Sequence, residues 1–428
     1  MKIILVNKFH YLKGGSETYY FGLAEGLKAA GHEVHFFAME GDNNLPCEDA
    51  DLFVSAKDYN GPSSLTQKVS AAASLIYSNE AKEKFQALCE RVQPDVVHMN
   101  LVHRQITLSI LDAPYLKEHG VPVLFTAHDY ILVCPNYLML DGRGSVCDAC
   151  LGGKFSNCLK RKCVKGSTAK SAMAFAEAEY LRLSHAYNKI DKIVCPSSFM
   201  AQKTIEGGLE SNRVSHMTNF CSAETLEQAH SDFDGTDYKS PYLLFFGRLS
   251  KEKGVDLLID AFASIEDMIP DWRLVIVGDG PEREALAQRV ENLSCKDRIE
   301  FAGYQTGAPL QKYVERASLA IACSRCRENM PYSIVEAFAS GTPIVGARIG
   351  GIPELVREGE TGFACEPDDS HSLADAIIRG VKFIGDKDTY RDMQQKCRDY
   401  VLNNCDQSKY IEQLTGLYQE LVDSKKRG

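Results

Sequence analysis

Short apolar runs alternate with amphipathic helical stretches along this chain, and midway the alternation starts again. In the first half, residues 2–7 read as a buried strand, 18–30 as a helix stopped by Gly31, and 34–38 as a second strand. Further strands are expected at 95–99, 121–126, 192–197 and 214–219. From 221 to 240 the periodicity lapses into Ser, Asp and Gly, which reads as a linker. A second series follows at 242–246, 273–277, 298–301, 319–322 and 344–346, with helices at 255–265 and 282–292. Apolar strands separated by helices fit parallel sheets covered on both faces. The expected fold class is therefore α/β: two doubly wound parallel-sheet (Rossmann-like) domains facing across a cleft. A chain of 428 residues is also long for one core. The expected boundaries are 1–220, with a Cys-rich insertion at about 134–165, then a linker at 221–240, a second domain at 241–405, and a C-terminal helix at 406–428.

Composition narrows the class. Hydrophobic residues make up 44% and charged residues 25%, as in globular proteins. A net charge of −10 gives no reason to expect a nucleic-acid partner. No apolar run approaches the length of a membrane span. The N-terminal MKIILVNKFH is too briefly apolar for an export leader and reads as a strand. Fifteen cysteines without such a leader point to reduced thiols and a cytoplasmic location.

The densest chemistry lies in 324–354. Glu328 and Glu336 stand eight positions apart, separated by the loop Asn329, Met330, Pro331, Tyr332, Ser333. The loop follows a strand, and helical periodicity starts at Ser333, which reads as the N-cap and places Glu336 in the first turn. The carboxyl edge of an open α/β sheet is where ligands bind. Free amides at a helix start suit a diphosphate, and a carboxylate can accept hydrogen bonds from a ribose diol. Arg248 and Lys253 share one loop after the strand 242–246; a guanidinium fork and an ammonium together suit a diphosphate. Gly14 and Gly15 precede the first helix, where backbone amides can approach a phosphate, but the dinucleotide fingerprint is missing. His128 follows the strand 121–126, and its reading as a functional or a structural histidine stays open on position alone.

Glu328-x7-Glu336, then Ala339-Ser340-Gly341-Thr342-Pro343, then Gly350-Gly351-Ile352-Pro353-Glu354 resembles the retaining glycosyltransferases of family 4, which have the GT-B fold. Gly247-Arg248-Leu249-x3-Lys253-Gly254 is similar to that family's phosphate-binding element, and Gly14-Gly15-Ser16-Glu17 to its GGxE loop. The family often has Gly-Phe-Gly after the first Glu, whereas this chain has Asn329-Met330-Pro331. The resemblance implies a donor domain in the second half and an acceptor-side domain in the first, braced by the last helix. It implies Glu336 on the ribose and Glu328 with Asn329–Ser333 on the sugar. It also implies Arg248 and Lys253 on the diphosphate, with no metal for catalysis, and His128 beside the donor sugar. The implied partners are a nucleotide-diphosphate sugar, UDP- or GDP-linked, and a glycan or lipid-linked acceptor of bacterial surface polysaccharide synthesis. A nucleotide-sugar epimerase of similar fold and a non-catalytic nucleotide-sugar-binding protein are the alternatives.

The insertion carries a separate signal. Cys147-x2-Cys150-x7-Cys158-x4-Cys163 gathers four thiols in a short span broken by Gly142, Gly144, Gly152 and Gly153, with Cys134 just before it. Structural zinc, an iron–sulfur cluster and free thiols all fit this pattern. Lys154, Lys160, Arg161, Lys162, Lys165 and Lys170 stand there with no acidic residue among them. That contrast in an acidic chain suggests peripheral contact with an anionic surface, as at the inner face of a membrane.

Overall fold

In the computed structural model, residues 1–56, 73–230 and 239–427 are described. The chain forms two compact units, Met1–Asn219 with Ser408–Gly428, and Phe220–Gln407.

The first unit is built on β1 (Lys2–Val6), β2 (Glu33–Phe37), β3 (Val96–Met99), β4 (Val123–Thr126), β5 (Lys192–Cys195) and β6 (Val214–His216). They lie in the order β2-β1-β3-β4-β5-β6, and every pairing is parallel. Ile3, Ile4, Leu5 and Val6 are all fully buried, so both faces of β1 are covered. That explains why this strand is apolar without alternation. Strand order reverses between β1 and β3, which makes the carboxyl edge there a topological switch point.

The helix Gln407–Arg427 belongs to this unit. Its Tyr410, Ile411, Leu414 and Tyr418 are buried. Tyr410 Oη bonds Tyr19 Oη at 2.7 Å, and Tyr19 Oη lies 3.2 Å from Thr126 Oγ1. His98 bonds Thr126 Oγ1 through Nε2 at 2.8 Å and Tyr418 Oη through Nδ1 at 2.5 Å. Burial pulls the His98 pKa down to about 3, so the ring is neutral and its two nitrogens need one donor and one acceptor. The helix is thus tied to the sheet by a buried polar chain as well as by apolar packing.

The second unit holds β7 (Ser240–Phe246), β8 (Arg273–Val277), β9 (Ile299–Gly303), β10 (Ala317–Ala322), β11 (Ile344–Ala347) and β12 (Gly362–Cys365). The order is β12-β11-β10-β7-β8-β9, again parallel throughout. Its switch point lies between β7 and β10. The expected pair of doubly wound sheets is therefore present.

Two features differ from expectation. The linker expected at 221–240 begins as a helix, Ala223–His230, and Cys221 and Ala229 are buried in the second unit's core. The polar composition of that stretch hides a single apolar face; residues 231–238 lie outside the described residues. Strand β12 is the other addition, a four-residue strand at the edge of the sheet. Among the described residues no helix is long and apolar enough to cross a membrane.

Replacing Tyr418 with Phe leaves a buried His98 nitrogen unsatisfied. The expected loss is about 1–3 kcal/mol of stability in urea unfolding of the intact protein. Lys425→Ala, which breaks the exposed pair of Lys425 with Asp191, is expected to cost less than about 1 kcal/mol.

Candidate functional site

In the second unit, the loops after β7 and β10 meet at the switch point. Phe246 ends β7, and Arg248 and Lys253 follow; Ala322 ends β10, and Glu328 follows. Lys253 Nζ donates to Glu328 Oε1 at 2.6 Å, and Ser324 Oγ donates to the same oxygen at 2.7 Å. Burial opposes both charges, but each partner outweighs it. The Lys253 pKa ends above the ordinary lysine value and that of Glu328 below the ordinary carboxyl value. Two residues that the sequence assigns to different parts of a ligand are therefore one ion pair here.

Two devices hold that pair in place. Arg325 donates its fork to Asp256 at 2.6 and 2.8 Å, and it also bonds the Lys251 carbonyl at 3.1 Å and Asp368 at 2.6 Å. Its own amide donates to the Glu252 carbonyl at 2.8 Å. The β10 loop is thereby locked onto the segment that carries Lys253. On the other side, the Gly351 amide bonds the Glu328 carbonyl at 2.8 Å. Gly350 sits at φ +60°, and a Cβ there would lie 2.3 Å from the same carbonyl. Only glycine allows that approach. Arg325 is a positioning residue that the sequence reading missed; its place beside Glu328 within a charged loop was the available signal.

The guanidinium of Arg248 is exposed and has no hydrogen bond or ion pair among the described residues. Asn329 and Pro331 are half-buried and Met330 is buried, leading into the helix Tyr332–Ala339. Here the structure corrects the reading: Pro331, not Ser333, is the N-cap, and Ser333 lies inside the first turn. Glu336 is accordingly two residues deeper in the helix than expected, and the first turn holds no acidic residue. The helix dipole acts mainly within that first turn, so burial dominates and pushes the Glu336 pKa up to about 7. Its carboxyl has no hydrogen-bond partner among the described residues.

In the first unit, His128 follows β4 at the carboxyl edge. Its Nε2 lies 2.9 Å from Asn100 Oδ1, beyond the end of β3. An amide oxygen only accepts, so Nε2 carries the proton and Nδ1 remains as an acceptor. The Tyr19 ring packs edge-on at 5.0 Å, and burial lowers the His128 pKa to about 3, which keeps the ring neutral. Gly14 and Gly15 are exposed where the helix Gly15–Ala29 begins, and the Gly14 carbonyl accepts from the amides of Glu17 and Thr18 at 3.1 and 3.0 Å. The same edge gathers Lys8, Arg104 and Asp129, each within a few residues of a strand end. Arg104 Nε pairs with Glu177 Oε2 at 2.9 Å, and its backbone stands at φ +68°. The sequence reading passed over Lys8, Arg104 and Glu177.

The thiols expected to cluster do so. Cys147, Cys150, Cys158 and Cys163 line one recess, and Cys134 joins them.

Residues 13–224 match the family described as Glycosyltransferase Family 4, and 227–400 match Glycosyl transferases group 1. The chain is 31% identical over 210 residues to N-acetyl-alpha-D-glucosaminyl L-malate synthase of Bacillus anthracis. That match covers 47% of this chain and 53% of the relative, so the chain spans about half the length of that protein. Among solved structures, Anabaena HepE in complex with UDP has a TM-score of 0.65 at 18% identity, covering 98% of this chain and 100% of that one. Sucrose-phosphate synthase from Thermosynechococcus elongatus has a TM-score of 0.66 at 20% identity, covering 99% of each chain. These two likenesses speak to the fold alone.

A buried carboxyl with a raised pKa costs stability as it ionises. Below 4.5 Glu336 is protonated in both states. As pH rises toward about 7 the unfolded chain loses the proton first, so this contribution to folding is lost over that interval. Glu336→Gln is expected to be more stable than the parent by about 1–3 kcal/mol at about pH 8 and nearly equal at about pH 4, read by urea unfolding across pH. With both halves matched and two parallel sheets of the GT-B class, the chain belongs to the family 4, group 1 glycosyltransferases.

Proposed function

We propose that the protein transfers a sugar from a UDP-sugar to a glycan or lipid-linked hydroxyl acceptor, with retention of anomeric configuration. The observation that carries this reading is the second unit's switch point, where the Lys253–Glu328 ion pair stands with Arg248 and the Glu336 carboxyl, neither of which has a partner among the described residues. The choice of UDP is supported by HepE, which is described in complex with UDP and with UDP-glucose.

Each group has a task that its geometry suits. Arg248 binds the diphosphate and neutralises the charge that grows as the glycosidic bond breaks. Lys253 does the same from a fixed position, because Glu328 orients it. The second oxygen of Glu328 and the backbone of Asn329–Ser333 hold sugar hydroxyls. Glu336 accepts from the ribose diol, and the N-terminal end of its helix favours the diphosphate. In the first unit, Nδ1 of His128 accepts from a sugar hydroxyl, while the Gly14-Gly15 turn offers backbone amides. No side chain is assigned as general base; the acceptor proton passes to the leaving phosphate. With cations in these positions the reaction needs no metal.

A screen of nucleotide-sugars, with the product anomer read by NMR, tests the reading; donor consumed only by isomerisation would overturn it. Glu336→Ala is expected to weaken UDP binding by about 1.5–3 kcal/mol. Arg248→Ala is expected to lower kcat as well as affinity, since its interaction strengthens in the transition state. A full kcat with only a raised KM contradicts that role.

The exposed Lys154, Lys160, Arg161, Lys162, Lys165 and Lys170 support contact with anionic lipid at the inner face of a membrane. Flotation with phosphatidylglycerol vesicles is expected at low salt and lost at high salt.

A further inference from the structure

The recess in the first unit is set apart from both sheet edges by its chemistry. Five cysteines line it, Cys134, Cys147, Cys150, Cys158 and Cys163, around about 270 Å³ counted to its open mouth. None of the five is in a disulfide; Cys147 is half-buried at the rim and the other four are buried. They arrive from separate turns: the loop after β4, a short hairpin closed by the Leu140–Val146 bridge, the helix Ser156–Lys160, and the turn after it.

Two hydrogen-bond donors converge on the Cys147 sulfur. The Ala149 amide lies 3.5 Å from Cys147 Sγ, two residues back along the Cys-x2-Cys pair, and Arg161 Nη1 lies 3.3 Å from the same atom. A neutral thiol is a weak acceptor. Two donors aimed at one sulfur, one of them a guanidinium, are better suited to a thiolate. The backbone is shaped for this at some cost: Met139, Lys162 and Lys165 have φ of +51°, +50° and +53°. A Cβ on Gly142 would stand 2.1 Å from the Arg161 carbonyl, so hairpin and turn are pressed together beside Cys163.

We propose that Cys147, Cys150, Cys158 and Cys163 form a structural tetrathiolate site for a thiophilic divalent metal, zinc by its chemistry, that staples the segment 134–165. Zinc takes four thiolates at about 2.3 Å in a tetrahedron. Among the described residues no three His, Cys, Asp or Glu groups stand as a ready-made metal site, so the proposal requires the thiols to move inward as the metal binds. Each ligating thiol gives its proton to solvent as the metal enters. Cys147, at the rim, offers the path in. With four protein ligands the metal has no open position for substrate.

The test uses the full-length protein, purified without chelator. Elemental analysis is expected to find about one zinc per chain. Titration of the wild type with a mercurial is expected to release that zinc to a chromogenic chelator, a readout that needs no variant. Cys150→Ser and Cys158→Ser are each expected to lose metal by about tenfold or more, while Cys47→Ser keeps it. Metal-free protein whose five thiols all react with Ellman's reagent overturns the proposal. So does iron with acid-labile sulfide in place of zinc.

Discussion

Strands apolar on both faces must be covered on both faces, and the rest of the structure follows from that requirement. A parallel sheet with helices on each side meets it, and each crossover brings the chain back to the same edge. In both units the carboxyl ends of the strands therefore deliver their loops to one place. Strand order reverses between β1 and β3 and between β7 and β10, the place along such an edge where open α/β sheets bind ligands. Arg248, Lys253 and Glu328 in one unit, and Asn100 and His128 in the other, owe their positions to this geometry more than to any local motif.

Within the second unit, charge is handled in two opposite ways. Lys253 and Glu328 are half-buried together, and each keeps its charge because the other does. Glu336 is half-buried with no partner among the described residues, and desolvation of its carboxyl pushes its pKa up to about 7. A carboxyl poised there responds to whatever donates to it. A diol that bonds the ionised form would draw the proton off, coupling ligand binding to proton release near neutral pH. Arg248 completes the contrast as a cation left in water, with no partner among the described residues, so its charge is available to an incoming anion.

The first unit spends its polar groups differently. His98, Thr126, Tyr19, Tyr410 and Tyr418 form a buried chain that fastens the last helix, and the Tyr19 ring of that chain braces His128. Anchoring of the C-terminal helix and orientation of His128 therefore share one set of contacts. The Cys-rich segment lacks such a network; its small cluster around Phe155 and Ala174 is slight beside the main core, and its thiols are what it holds in common.

The sequence by itself determined the strand count within one strand, the parallel class, and the loops that bear Arg248, Lys253, Glu328 and His128. Those features are written in local periods and in spacings along one loop, which need no long-range contact to be read. Tertiary structure alone decided who pairs with whom. Lys253 and Glu328 are 75 positions apart, and Arg325 and Asp256 are 69 apart, so their bonds exist only once β7 and β10 lie side by side. The start of the helix at Pro331, and with it the depth and protonation of Glu336, was also beyond local reading: Ser333 is a better cap by type, yet it falls inside the first turn. Helix Ala223–His230 shows the same limit. Its polar composition reads as linker, and only a core waiting for Cys221 and Ala229 turns it into structure.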